Sequence, residues 1–423
     1  MPKNSRIKKT VSIITITQLN RFNCLLNLYE LIKLQIYTNI TEWVIVEGSS
    51  SKKDGEKNKE NINTLLKTHY NLMCIHSQIK IVYVEYTGLP LSDLRNIGNN
   101  KCSGNIIVCM DDDDYYPPER VSHAVKSLNN SPYLIAGCSD IYMYEYFMGK
   151  LYKFKGFHRN HSTNNCMAFK REYLQNHKHA EGLKMAEELS FTNNFTEPMV
   201  QLIPQKCIIV SSHNINTYNK RALCVGGSTG LNPYLYEVNK HPITNYIPSE
   251  IFKKMKTIFY KEEKSPYDIV YFCGELGTNF CGELGTKWNP IDNSSEQKVV
   301  DLCEYWASTG KKVAIYADIF ENLTYNNVDY KHWKTFEFNH QYETVILWKS
   351  YGLFCGLPYD LKSKNILFDV DDILINQETM FKIYSKYENK ITKVLFNSNN
   401  HKEEFEKFLG KQISANYGIN VLN

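Results

Sequence analysis

No Cys-x-x-Cys pair occurs in the 423 residues, although twelve cysteines are scattered through them. That usage fits reduced, buried thiols in a reducing compartment better than a disulfide framework. Long apolar runs are also missing: no stretch approaches the roughly 18 residues that a membrane helix needs. The basic N-terminus leads into VSIITIT, which is short, β-branched and followed by polar residues, so it reads as a first strand and not as a signal peptide. The chain is therefore expected to be soluble and cytoplasmic. An excess of one charge is lacking too. With 49 basic and 45 acidic residues the net charge is +4, which argues against a dedicated nucleic-acid binder. Neither a P-loop nor an HExxH motif is present.

What is present is enough apolar material, 43% of residues, for two or three domains of about 150 residues each. Two blocks alternate strands and helices. In the first, the pattern predicts strand Val11–Thr17, a helix from Arg21 to Gln35, and a strand ending at Glu47. The polar segment SSSKKDGEKNKEN reads as a mobile loop. Strand IKIVYVEY, helix LSDLRNIGNNKC and strand NIIVCM follow, then an antiparallel addition and a closing strand CIIVSSHN near residue 214. Short crossovers of this kind imply a parallel sheet with helices on both faces. Residues 222–265 read as a connection. The second block runs from YDIVYFCG to the C-terminus, and its clearest helix, SSEQKVVDLCEYWASTG, has Ser294 or Ser295 as a cap and Gly310 as its end. The predicted division is 1–221, 222–265 and 266–423. A short tandem repeat, CGELGTNF then CGELGTKW, reads as an enlarged loop; nothing in the sequence completes a metal site around Cys273 and Cys281.

The most informative stretch is GNIIVCMDDDDYYPPERV. It places Asp111–Asp114 at the carboxyl end of a strand in an open parallel sheet, which is where ligands bind. Clustered carboxylates repel unless a cation neutralises them, and Mg²⁺ or Mn²⁺ prefers oxygen ligands that it shares with phosphates. A metal-held diphosphate follows. The bland alternative is a solvated acidic turn capping the helix that begins at Pro117 or Pro118.

Residues 1 to about 220 resemble an inverting family-2 glycosyltransferase of the GT-A fold. The resemblance is carried by VSIITITQLNR, EWVIVEGSS, GLPLSDLRNIGNNKCSGNIIVCMDDDDYYPP, NCMAFKREYL and AEELSFTNNF, in that order. It implies transfer of a sugar from a nucleotide-sugar donor, UDP-linked, to a glycan or glycoprotein hydroxyl, with Mn²⁺ or Mg²⁺ as cofactor. It implies nucleotide contacts at Thr17, Glu47, Arg95, Asn96, Asp111 and Asp112, metal ligands at Asp113, Asp111 and His213, and a general base at Glu188 assisted by Glu187. The helix that these two glutamates open is expected to keep them ionised. One departure stands out: Val46-Glu47 replaces the acidic pair that usually ends the second strand. In general texture the chain is similar to glycosyltransferases of large DNA viruses of amoebae, which would put it in host cytoplasm or a virion.

Residues 266–423 resemble the N-terminal, Rossmann-like half of a GT-B glycosyltransferase, through KWNPIDNSSEQKVVDLCEYWASTGKKVAIYA and KVLFNSNNHKEEF. Asn293 and Ser294 stand where that family carries a glycine pair, and no donor-binding half follows ANYGIN, so a non-catalytic acceptor-binding or docking module is expected. Two weaker signals compete. ILFDVDDILIN resembles the phosphatase signature DxDxT through Asp369 and Asp371, but Ile373 replaces the threonine; GGSTG at 226–230 matches a nucleophile elbow but lacks the following helix. The rival for the whole chain is a non-catalytic carbohydrate- or nucleotide-binding scaffold, favoured by Glu47 and the lost glycines.

Overall fold

The computed structural model describes residues 8–76, 79–216, 220–224, 234–238, 241–274, 295–317, 319, 322–337, 340–348, 361–370, 384, 388–413 and 416–419. The chain forms two compact units: residues 1–219 with 234–259, and residues 220–233 with 260–423. The segment expected to be a connection thus contributes Leu235–Glu237 and Ser249–Phe259 to the first unit.

In the first unit, β1 (Val11–Thr17), β2 (Ile40–Glu47), β3 (Lys80–Val84) and β4 (Ile106–Cys109) run parallel in the order β3-β2-β1-β4. β1 and β4 are almost wholly buried, as strands covered on both faces must be. β5 (Ile135–Gly137), β8 (Ala168–Lys170) and β9 (Met199–Gln201) extend this sheet beyond β4, with β8 antiparallel to both β4 and β5. A second sheet has the order β10-β6-β7-β11, from β6 (Ile141–Glu145), β7 (Lys150–Phe154), β10 (Ile209–Ser212) and β11 (Leu235–Glu237).

The helices are α1 (Phe22–Lys33), α2 (Lys52–His76), α3 (Leu91–Lys101), α4 (Arg120–Asn129), the four-residue α5 (Glu188–Phe191) and α6 (Ser249–Phe259). α2 replaces the expected polar loop. Its inner face carries Gly55, Asn58, Ile62 and Leu65, spaced as one helical stripe, but the first two are not apolar and hide the period. A Cβ on Gly55 would lie 2.3 Å from Thr87 Cγ2, and the Asn58 amide donates to Glu47 Oε2 at 2.7 Å. α3 packs directly on β1 and β2 because Gly98 has no side chain there.

In the second unit, β12 (Glu263–Lys264), β13 (Ile269–Gly274), β14 (Val313–Ala317), β15 (Leu323–Tyr325), β16 (Val328–His332), β17 (His340–Trp348), β18 (Ser363–Val370), β19 (Lys393–Phe396) and β20 (Asn416–Ile419) form one sheet of order β15-β16-β14-β13-β17-β18-β19-β20, with β12 on β17. Among the described residues, only the β15–β16 pair of this sheet is antiparallel. α7 (Ser295–Ser308) buries Val299, Val300 and Cys303 against it, and Gly310 follows with φ +87°. α8 (Asn399–Leu409) is capped by Ser398. The unit is Rossmann-like in its parallel pairing. The tandem repeat beyond Gly274, Asn293 and Ser294, the GGSTG segment and Asp371–Asn376 lie outside the described residues. Among the described residues, no helix is long and apolar enough to cross a membrane.

The close approach of α3 gives a direct test of this packing. A Cβ on Gly98 would lie 2.5 Å from Ile14 Cδ1 and 2.8 Å from Val46 Cγ2. Gly98→Ala should destabilise by about 1–3 kcal/mol through overpacking, measured as a lower urea midpoint; an unchanged midpoint would show that α3 can shift freely.

Candidate active site

The strand order β3-β2-β1-β4 reverses at β1, and crevices that bind ligands open at such points, outside the carboxyl ends of the strands. Thr17 ends β1, Glu47 ends β2, and Asp111 follows β4 after Met110. The acidic run is not a solvated turn, since Asp112, Asp113 and Asp114 are 1%, 4% and 1% exposed. Nor does the following helix use it as a cap: α4 begins only at Arg120. Each carboxylate has its own partners.

Asp111, expected as a metal ligand, gives both oxygens to Arg95: Nη1 donates to Oδ1 at 2.8 Å and Nη2 to Oδ2 at 3.1 Å. Arg95 Nε donates to Glu187 Oε1 at 3.1 Å. The guanidinium is buried; burial works against its charge, but Asp111 and Glu187 more than offset this and hold it firmly protonated. Asp112 accepts from Thr17 Oγ1 at 2.8 Å and from Arg21 Nη1 at 3.0 Å. Arg21 also reaches Asp113 Oδ2 at 3.2 Å and donates from Nε and Nη2 to the Ile215 carbonyl. Asp113 Oδ2 accepts from Asn216 Nδ2 at 2.8 Å and lies 3.4 Å from His213 Nε2. Asp114 accepts from Asn165 Nδ2 at 2.6 Å and from the Ser211 amide at 2.8 Å, so it ties β10 to the acidic turn.

The remaining expected residues are placed as follows. Glu47 is buried; it accepts from the Ser49 amide and the Asn58 side chain, each at 2.7 Å, and from Tyr83 Oη at 3.0 Å. Asn96 is paired both ways with the backbone of His179, at 2.9 Å in each direction. Together with the Ser92–Leu183 bonds, this clamps the segment before Glu187 onto α3. Glu187 and Glu188 therefore sit on a fixed turn, entered through Ala186 at φ 55°. α5 is a single turn and does not keep Glu188 ionised in the way expected. Burial, and then the charge of Glu187, push its carboxyl up to about 7.

Among the described residues, no three His, Cys, Asp or Glu side chains are arranged to hold a metal ion. The chemistry of the cluster nonetheless fits a divalent cation. Carboxylate oxygens with one imidazole nitrogen at Asp113–His213 suit Mn²⁺ or Mg²⁺. Burial, with Asp113 and Asp111 nearby, pushes Asp112 up to about 7 in spite of Arg21 and Thr17, so the site remains short of positive charge. His213 is held by a parallel stack on Phe259 of α6, ring centroids 4.1 Å apart and 3° between planes.

Residues 12–180 match the family described as Glycosyl transferase family 2. They form a glycosyltransferase family 2 domain of GT-A fold. No curated protein matches the chain. Among solved structures, TarS residues 1–349 of S. aureus is 15% identical at a TM-score of 0.35, with 48% of this chain and 60% of that one covered. Mannosyltransferase PcManGT from Pyrobaculum calidifontis, in complex with GDP-Man and Mn²⁺, is 15% identical at 0.38, with 52% and 61% covered. GalNAc-T7 with UDP, GalNAc and Mn²⁺ is 12% identical at 0.38, with 49% and 44% covered. The chain thus spans less than two thirds of each.

Within the first unit, sequence reasoning did not single out Arg21, Asn165, Ser211 or Asn216. Arg21 had a signal, as a basic residue just past a strand end in a chain with an acidic cluster. The other three are neutral, and only the fold brings them to Asp114 or Asp113. The strongest linkage is Arg95. Arg95→Met should destabilise by about 3–5 kcal/mol, because it leaves two carboxylates without their cation. Arg95→Lys should recover little, since one ammonium cannot replace a fork that binds three oxygens. Urea unfolding of both variants checks this; near-wild-type stability in Arg95→Met would show the pairs to be dispensable.

Proposed function

We propose that the chain is an inverting glycosyltransferase that moves a sugar from a nucleoside diphosphate sugar, UDP-linked, to a hydroxyl of a glycan or glycoprotein. The observation that carries this reading is one fully buried guanidinium, Arg95, holding the acidic turn at the end of β4 and Glu187 within a single hydrogen-bonded unit. A donor-binding acidic edge and a separate carboxylate base are the equipment that such a displacement needs. The family 2 match over residues 12–180 supports the same reading.

Asp113 and His213 would hold the cation, with Asp112 adjacent. Bound Mn²⁺ or Mg²⁺ would supply neutralisation of the departing diphosphate. The chain's own residues do the rest. Thr17 and Arg21 keep the Asp112 carboxylate oriented, and Arg95 fixes Asp111 beside the nucleotide. Glu188 takes the proton of the attacking hydroxyl, and Glu187, anchored by Arg95, orients the acceptor. A base with a pKa near 7 suits this task at neutral pH. The second unit, in this reading, binds or docks the acceptor without catalysing transfer.

A second reading, a non-catalytic nucleotide- or carbohydrate-binding scaffold, draws on Glu47. Its carboxylate is already occupied by Ser49, Asn58 and Tyr83.

Two experiments separate them. UDP affinity, measured by calorimetry, should fall sharply with EDTA and in Asp113→Asn; undiminished affinity in both would remove the metal role. Donor turnover should rise with pH through about 7 as Glu188 loses its proton. Glu188→Gln should lower turnover roughly 10²–10⁴-fold and abolish that pH limb, while UDP still binds. Full turnover in Glu188→Gln and in Glu187→Gln would place the base elsewhere, and UDP binding with no transfer or hydrolysis by the wild type would favour the scaffold.

A further inference from the structure

Away from the carboxylates, the first unit carries an aromatic cluster on its surface. Phe157 is 59% exposed and Tyr234 45%, and their ring centroids are 5.1 Å apart. Phe157 also meets His161 edge-on at 5.0 Å, His161 meets Phe195 at 4.8 Å, and His158 meets Phe195 at 5.8 Å. We propose that this cluster receives a pyranose ring of a saccharide acceptor, an inference that rests on the transfer reading above.

The cluster is built and held in place. The Gly156 amide donates to Asp140 Oδ1 at 2.8 Å, and Gln201 Nε2 donates to the carbonyls of Arg159 at 2.7 Å and His161 at 3.1 Å. Ser139 Oγ lies 3.1 Å from His161 Nδ1, and the Lys155 amide donates to the Tyr234 carbonyl at 2.8 Å. On the other side, Asn193, Asn194 and Phe195 are left-handed in succession, with φ of 49°, 56° and 57°. Left-handed backbone is normally confined to single residues and costs roughly 1–2 kcal/mol each. Strain of this kind persists where the surrounding structure enforces it, and it concentrates at ligand sites. Here it is what brings Phe195 to the two imidazoles.

The chemistry selects a sugar. Aromatic faces are negative and attract the weakly positive C–H groups of a pyranose face. Burial, and then the neighbouring His158, hold His161 down to about 4, so it is neutral at physiological pH. The rim offers His158 and the two exposed asparagines for hydroxyl groups.

Its location fits an acceptor. His161 precedes by four residues Asn165, whose amide bonds Asp114. At most ~3.3–3.6 Å per residue separates their backbones, so they lie within about 14 Å of each other. Phe195 follows Glu188 by seven residues, across a single helical turn. A short oligosaccharide resting on the rings could reach the candidate base.

Saturation-transfer NMR of the full chain with chitotetraose, maltotetraose and mannotetraose, without nucleotide, tests the proposal. Transfer to ring C–H protons of at least one is expected, weakened at least tenfold in Phe157→Ala and in Tyr234→Ala, and retained in Phe157→Trp. Circular dichroism confirms the fold of each variant. Transfer to none of the three, undiminished transfer in both alanine variants, or binding of oligothymidylate in place of the saccharides would overturn it. Hydrolysis of UDP-sugar by the wild type is scored separately. Sugar transfer or hydrolysis without saccharide binding rejects the cluster alone, and saccharide binding with neither sugar transfer nor hydrolysis rejects the transfer reading alone.

Discussion

A buried guanidinium cannot stand without counter-charge, because solvation lost on burial must be replaced by direct partners. Arg95 meets that constraint with three oxygens from two carboxylates that are 76 residues apart in sequence, Asp111 and Glu187. Much of the first unit follows from it. α3 must lie close enough to β1 and β2 to deliver Arg95, which Gly98 permits. The segment before Glu187 must come to α3, and Asn96 and Ser92 hold its backbone there. The acidic turn must present Asp111 inward, leaving Asp112 and Asp113 to Arg21.

The parallel core was legible because its strands are continuous apolar runs with polar punctuation. VSIITIT and NIIVCM declare themselves, and the position of four acids after the latter marks the edge of the sheet. α2 was not legible, since Gly55 and Asn58 occupy the positions where an apolar stripe should begin. The site was legible as a set of residues and less so as a set of partnerships. A carboxylate in sequence looks available; in the fold, Asp111 is spent on Arg95, Glu47 on Ser49, Asn58 and Tyr83, and Asp114 on Asn165 and Ser211. Nor could local pattern foresee Glu188. Helix-end reasoning favours the ionised form, whereas burial and then the charge of Glu187 raise the carboxyl to about 7.

Backbone geometry marks the same region as the charges do. The short helix α5 is flanked by left-handed residues on both sides, Ala186 before it and Asn193–Phe195 after it. Such conformations are sustained only by well-formed surroundings. They fix the direction in which the glutamates leave the turn and the side on which the aromatic rings gather.

The stack of His213 on Phe259 has a practical meaning for anyone dividing the molecule. Phe259 is the final residue of the first unit, and Tyr146 packs on it and on Phe252 as well. A polypeptide ended at residue 221, where the sequence pattern suggests a boundary, would lack both β11 and α6. It would uncover the imidazole and the tyrosines of β6, and leave β7 as a bare edge open to pairing with another chain. Loss of activity in such a fragment would speak of a missing wall and not of a missing partner domain.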